Sequence, residues 1–305
     1  MTVPATWRSA PVLDPTWAPW RDGLPRRVEE LLGEWDLTRD GDARHGRRAL
    51  VVPVRTDAGE ALVLKLTWPH PEAELEHLAL THWHGAGAVR LVRADPRRWA
   101  LLLERAHRRD LTTVEDGAAC ELAGALLVRL RRPAPPQLEP LSRVVARWSE
   151  RLGSLPTSAP LPRRLVGQAV SLARAFATDP TTDGTLLHTD LTFEKMLAAD
   201  REPWLAIAPR PISGDPHHEV APLLRGRWAE VVATGDVRWA VRRRFDAVVD
   251  AAGLDPDRAR DWVVVRMLVD ALDLLGEGAE KVRAPGPADR DGLTRALSIA
   301  KAVQG

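Results

Sequence analysis

The spacing of apolar positions changes several times along the chain. Residues 26–36 (RRVEELLGEWD) place apolar side chains at helical intervals. Ala49–Arg55 and Ala61–Thr67 are instead dense in Val, Leu and Ala, and TDAGE between them has the composition of a hairpin turn. Pro69–Gly85 reads as a helix, with Pro near its start, acids in its first turn and Gly at its end. Val89–Ala94 and Trp99–Glu104 read as a second strand pair joined at Asp95-Pro96. The first 25 residues, rich in Pro and Trp, show no period and are expected to wrap the surface.

After residue 105 the strand signal nearly stops. Helical spacing covers 114–131, 140–153 and 162–178, with a break at Pro133–Pro136. A non-helical stretch runs from Leu186 to Ile207. Residues 216–303 are then mostly helical, interrupted at Gly253 and Ala284–Pro287. There is no repeat or low-complexity tract. The chain therefore reads as α+β: a β-rich lobe with one helix over 1–105, then a helical lobe over 106–305 containing one loop cluster.

The 305 residues and 45% hydrophobic content provide a real core and exclude intrinsic disorder. With 43 Lys+Arg against 42 Asp+Glu there is no global field to attract nucleic acid or an anionic membrane. No run of about 18 apolar residues suggests a membrane span, and the N-terminus lacks the apolar region of a signal peptide. The single cysteine, Cys120, makes no internal disulfide, which suits a reducing cytoplasm. Asn and Tyr are absent. Lysine occurs only at 65, 195, 281 and 301, so each lysine is informative against a background of arginine.

The element order resembles the layout of the protein-kinase-like fold. That fold places a lysine on a strand of the small lobe, where it reaches nucleotide phosphates and a Glu of the next helix. Lys65 lies on Ala61–Thr67, just before the helix carrying Glu72, Glu74 and Glu76. The ordinary alternative is a solvated lysine beside a polar helix face. Only Gly41 and Gly46 lie where a phosphate loop would be, and no G-x-G-x-x-G is present. Leu101–Ala106 fits a hinge offering backbone groups to adenine, or simply a buried strand end. His188-Thr189-Asp190-Leu191 matches H-x-D-L, whose Asp orients an acceptor hydroxyl, or is an ordinary turn.

Four stretches make the likeness specific: LVLKLTWPHPEAELEHLALTHWHGAGAVRL, ADPRRWALLLER, LLHTDL and LAADREPWLAIAPRPISGDPHHEVAPLLR. Through them the chain resembles the aminoglycoside/hydroxyurea phosphotransferase family, its streptomycin-kinase-like branch. The resemblance implies a two-lobe fold with a small β-rich N-lobe and a larger helical C-lobe. It implies a cytoplasmic ATP-binding transferase acting on an alcohol group of an antibiotic or other small molecule. Lys65 would be the phosphate lysine and Glu76 its helix partner. Leu103, Glu104 and Arg105 would form the hinge, Asp190 would be the catalytic aspartate, and His188 would hold its loop.

The family pattern H-G-D-L-H-P-G-N is broken here. The metal-binding Asn falls at Lys195, and the second ligand, an Asp in I-D-P-K-P, falls at Ala208. Magnesium takes hard oxygen ligands, so its binding is expected to be weak or absent and no protein metal ligand is expected. Unlike charges about 4 Å apart attract by about 4 kcal/mol at an effective dielectric near 20. Lys195 is therefore expected to pair with Asp190 in the vacated position, with Arg210 adding charge; in an active enzyme Asp215 or Glu219 would supply a carboxylate. Three functions follow. One is a pseudokinase that binds a nucleotide, another small molecule or a protein partner. Another is an active phosphotransferase in which Lys195 and Arg210 replace the metal charge. The third is a different chemistry in the same pocket.

Other features read plainly. His217-His218 with Asp215 and Glu219 is not expected to form a metal cluster; the resemblance implies a corner that starts a helix there, with Asp215 in it and Glu219 where the family has Asp. The runs at 105–109 and 242–244 are expected to be solvated basic faces. Cys120 is expected to be inert core. Asp270, Asp273 and Glu277 share a helix face by spacing, with Glu280 on or after that helix; they form a solvated acidic stripe or, as the resemblance implies, the receptor for a cationic acceptor.

Overall fold

The computed structural model describes residues 15–276 and 286–304. The chain divides into two compact units: residues up to 107 together with 199–203, and residues 108–198 with 204 onward.

The first unit opens on two helices, α1 (Trp17–Asp22) and α2 (Leu24–Glu34). Trp17 and Trp20 are buried, their rings 5.5 Å apart, and Trp17 meets Trp68 edge-on at 5.9 Å. The expected surface wrapping therefore fails for residues 15–25, because the indole rings bury too much apolar area to be left in water; residues 1–14 lie outside the described part. The strands are β1 (Leu37–Arg39), β2 (Arg44–His45), β3 (Ala49–Thr56), β4 (Ala61–Thr67), β5 (Leu91–Asp95) and β6 (Ala100–Glu104). They form an antiparallel sheet of order β1-β3-β4-β6-β5, with β2 also on β3. β1 and β2 were invisible to periodicity because their residues are short and polar, as edge strands permit.

Alternation along β4 sends Leu62, Leu64 and Leu66 into the core with Trp17, Leu24 and Val28. Lys65 falls on the other face, in register with Val51 and Leu101. The helix expected over 69–85 is shorter: a 3-10 turn at Pro71–Ala73 precedes α3 (Glu76–Trp83). Pro69 and Pro71 lack amide donors and hold the entry extended. His84 and Gly85 both adopt positive φ and end the helix. Asp95 does more than join β5 to β6: its side chain accepts from the Arg98 amide at 3.1 Å and caps a 3-10 turn.

The second unit contains α4 (Asp116–Leu130), α5 (Leu141–Gly153), α6 (Arg163–Thr178), α7 (Val220–Arg225), α8 (Trp228–Ala233), α9 (Val237–Ala252), α10 (Pro256–Leu274) and α11 (Pro287–Ala302). α10 is central: Trp262, Val263, Val264, Val265, Met267 and Leu268 are all buried. Trp262 stacks on Phe176 with centroids 4.0 Å apart. Asp255 caps this helix by accepting from the Arg258 amide at 2.7 Å, and Pro256 follows it. The stretch 186–207 is non-helical save one 3-10 turn. Two small antiparallel pairs organise it: β7 (Thr185–Leu187) with β10 (Ile212–Gly214), and β8 (Met196–Ala198) with β9 (Trp204–Ala206).

Arg108, Arg109 and Arg243 are exposed as expected of solvated basic runs, but one residue of each run departs. Arg244 is buried and bonds Asp116 and the Gly226 carbonyl. Arg105 bonds Asp40 at 2.7 Å and the Leu62 carbonyl at 3.0 Å. A guanidinium carries several donors in a fixed fork, so it can knit backbone carbonyls where a solvated role was expected.

Candidate functional site

In the first unit, Lys65 and Glu76 meet. The ammonium lies 2.6 Å from each carboxylate oxygen, and both residues are buried. Glu72 turns instead to Arg48 at 2.9 Å, so one acid of the three reaches the lysine. A buried charge persists only when paired, and here the partners belong to elements adjacent in the chain. Leu103 and Glu104 end β6. The Glu104 amide donates to the Arg90 carbonyl at 2.9 Å, and its carboxylate is held by Arg201 at 2.9 Å. The side chains of Glu104 and Arg105 are thus committed to ion pairs and backbone carbonyls within this unit.

In the second unit, Asp190 sits in the loop between β7 and a 3-10 turn at Phe193–Lys195. Thr189 and Ala208 both have positive φ, 57° and 53°. Such backbone is costly for a residue with a Cβ and needs external support. The supports are specific. The Thr189 amide donates to Glu219 at 2.8 Å, its hydroxyl to the Arg210 carbonyl at 2.6 Å, and the Arg210 amide to the His188 carbonyl at 2.9 Å. His188 is buried; its Nε2 donates to the Ile207 carbonyl at 2.9 Å, and its Nδ1 accepts from the Asp190 amide at 3.4 Å. Burial, then the nearby Lys195 charge, pushes His188 down to about 3, so this ring is neutral and holds the loop.

Lys195 donates to Oδ2 of Asp190, and Arg210 Nε lies 3.0 Å from the same oxygen. Burial by itself would raise the Asp190 carboxyl. The charges of Lys195 and Arg210 and the Lys195 hydrogen bond outweigh it, leaving the group below its usual value. Asp190 is therefore an anion clamped by two cations.

The other expected charges go elsewhere. Asp215 accepts from the Trp262 indole at 2.7 Å and pairs with Arg258 and His217. It caps the turn that precedes α7 and brings no carboxylate to Asp190. Glu219 gives one oxygen to Thr189, while its Oε2 is buried without a partner. Burial pushes this carboxyl up to about 7. No group of three or more His, Cys, Asp or Glu is arranged to hold a metal among the described residues. Asp270 is no acidic lure: Arg225 reaches it at 2.8 Å and Arg266 at 3.0 Å. Asp273 pairs with Arg151 at 2.7 Å; Glu277 and Glu280 lie outside the described residues. Arg225 and Arg266 escaped the sequence reading, although a lone Arg inside the apolar run WVVVRML was a signal.

The family model described as aminoglycoside/hydroxyurea antibiotic resistance kinase matches residues 34–278. The chain belongs to this family. Members of the aminoglycoside/hydroxyurea kinase family similar to it include a streptomycin 6-kinase of Streptomyces glaucescens, 38% identical over 94% of this chain and 91% of that one. A streptomycin 6-kinase of Streptomyces griseus is 40% identical over 83% of each chain. A hydroxyurea phosphotransferase of Kitasatospora aureofaciens is 38% identical over 82% of this chain and 73% of that one. Among solved structures, an aminoglycoside phosphotransferase superposes with a TM-score of 0.60 at 15% identity, covering 92% of this chain and all of that one. A choline kinase from Streptococcus pneumoniae gives 0.58 at 12% identity, covering 92% and 98%. The protein has the protein-kinase-like fold expected of the family.

Proposed function

We propose that this family member binds a nucleotide and a small molecule but does not carry out magnesium-dependent phosphoryl transfer. The observation that supports this reading best is the double clamp on Asp190. A carboxylate that must receive a hydroxyl proton is weakened as a base when two cations hold it. The donor set beside it does not fit Mg²⁺, which takes oxygen ligands in octahedral geometry. Where the family carries its two ligands, this chain presents the ammonium of Lys195 and the methyl of Ala208. Lys65, paired with Glu76, would hold nucleotide phosphates, and backbone around Leu103–Arg105 would meet the base. The single buried Cys120, pushed up to about 12 by burial, suits a reducing cytoplasm. No helix among the described residues is long and apolar enough to cross a membrane.

The test is ATP turnover with and without Mg²⁺, using streptomycin and hydroxyurea as trial acceptors. Background rates are expected throughout. Turnover far above background that needs Mg²⁺ would overturn the proposal.

A second reading is favoured by the Lys65–Glu76 pair, which is intact at 2.6 Å. In it the protein is an active phosphotransferase, and Lys195 and Arg210 stabilise the transferring phosphoryl group in place of a metal. Turnover should then survive EDTA and collapse in Lys195→Ala.

A further inference from the structure

Arg210 stands between two prolines, Pro209 and Pro211. Proline has no amide hydrogen, so over residues 209–211 the backbone carries one donor, the amide of Arg210. That amide donates to the His188 carbonyl at 2.9 Å. The Arg210 carbonyl is met from the next residue along: the Thr189 hydroxyl donates to it at 2.6 Å. Holding both the amide and the carbonyl of one residue fixes the direction of its Cα–Cβ bond. The Arg210 side chain leaves along that line, and its Nε comes to 3.0 Å from Oδ2 of Asp190. Residues 188 and 189 thus aim Arg210, and residue 190 receives it.

Thr189 does this from a strained position. Its φ is 57°, a conformation that glycine adopts freely and a β-branched residue only at a cost. The residue is buried, and its amide is held from the far side by the Glu219 carboxylate at 2.8 Å. Strain kept in place by specific supports points to a task for the side chain that bears it. The task visible here is the bond from the hydroxyl to the Arg210 carbonyl. Lys195 reaches Asp190 by a different route. It closes its own 3-10 turn, and its carbonyl accepts from the Ile207 amide at 3.0 Å. The two arms of the clamp are therefore anchored separately.

We infer that Thr189 is a positioning residue, whose hydroxyl sets the Arg210 arm of the clamp on Asp190. This role rests on the clamped reading of the site proposed above, and it adds a control point outside the three charges. Arg210 has a further interaction as well; what Thr189 fixes is its aim at Asp190.

The Asp190 carboxyl of the full chain is followed by carbon NMR as pH is varied, its signal assigned by its loss in Asp190→Asn. Thr189→Val keeps the branched shape and the amide bond to Glu219 and removes only the hydroxyl. The midpoint of Asp190 should then move up, since a cation that no longer sits beside the carboxylate no longer favours the anion. Thr189→Ser, which keeps the hydroxyl, should leave it where it was. With Arg210→Gln in place, Thr189→Val should move the midpoint no further, whereas a general loosening of the loop would still move it. His188, Glu219, Arg225 and Arg266, whose charges also reach Asp190, are unaltered in every variant. Should Thr189→Val not fold, Thr189→Gly, at ease with a positive φ, is expected to show the same rise. The inference is overturned by an unmoved midpoint in the folded variant lacking the hydroxyl, by an equal rise in Thr189→Ser, or by a further rise on top of Arg210→Gln. Magnesium-dependent ATP turnover would sink the proposed function and leave these midpoints to decide the role of Thr189 by themselves.

Discussion

Lys195 and Arg210 converge on one carboxylate oxygen of Asp190. The two come from opposite ends of the loop cluster. Lys195 closes the 3-10 turn after Asp190, and Arg210 lies beyond β9, fixed by its amide bond to the His188 carbonyl. The clamp therefore depends on how the segments around 188 and 207–210 pack, and Asp190 is an acceptor already satisfied.

Removing the Lys195 half of the clamp while supplying oxygen ligands should create a metal response. In the wild-type protein the thermal shift produced by ATP is expected to be the same with Mg²⁺ or EDTA. With Lys195→Asn and Ala208→Asp together, the shift should become larger in Mg²⁺. A wild-type shift that already depends on Mg²⁺ contradicts the clamp as the reason.

The Lys65–Glu76 pair should be costly to break from one side. Glu76→Gln leaves a buried ammonium without its counter-ion, and a loss of about 3–5 kcal/mol is expected in urea unfolding. Adding Lys65→Met should recover a substantial part of it, since the uncompensated charge is then gone. Equal and additive losses would show that the two side chains do not act as a pair.

Glu219 gives a pH signature. Its folded value, about 7, lies above the ordinary value of 4.5, because burial disfavours the anion. An acid raised on folding contributes stability that is fully present below its unfolded value and is lost as pH rises through its folded value. The stability of wild type relative to Glu219→Gln should thus fall between roughly pH 4.5 and 7, by up to about 3 kcal/mol. Urea midpoints at pH 5 and pH 8 check this. A difference that grows in the opposite direction would show that the ionised form is the better bound.

Gly124 tests helix packing against helix propensity. It lies within α4, where Ala would ordinarily be favoured by about 1 kcal/mol. A Cβ there would meet Ala251 Cβ at 2.7 Å and the Val248 carbonyl at 2.8 Å, both on α9. Overpacking against a neighbouring helix costs about 1–3 kcal/mol and cannot be relieved by a flexible side chain. Gly124→Ala should therefore lower the melting temperature, and a rise would mean that α4 and α9 separate easily.

Much of the architecture was legible in the chain because it rests on local rules. Dense apolar runs marked β3, β4 and β6. Helical spacing and caps placed α4, α5 and α6 within one or two residues of where they lie. Glu76 was singled out by resemblance among three acids, and the structure brings it to Lys65. The polar edge strands β1 and β2 gave no period to read, and the buried role of Trp17 and Trp20 lay in an irregular segment whose partners are distant in sequence.

The sequence by itself determined the family and the α+β order of elements. It also placed opposite charges five residues apart, at Asp190 and Lys195. Tertiary structure decided which charges cancel. Asp215 went to Arg258 and Trp262, Asp270 to Arg225 and Arg266, and Arg210 to Asp190. The reason is physical. A local pattern fixes which face a side chain takes, but the partner of a charge depends on which distant element is packed against that face. Partly buried ions must find that partner or shift their protonation.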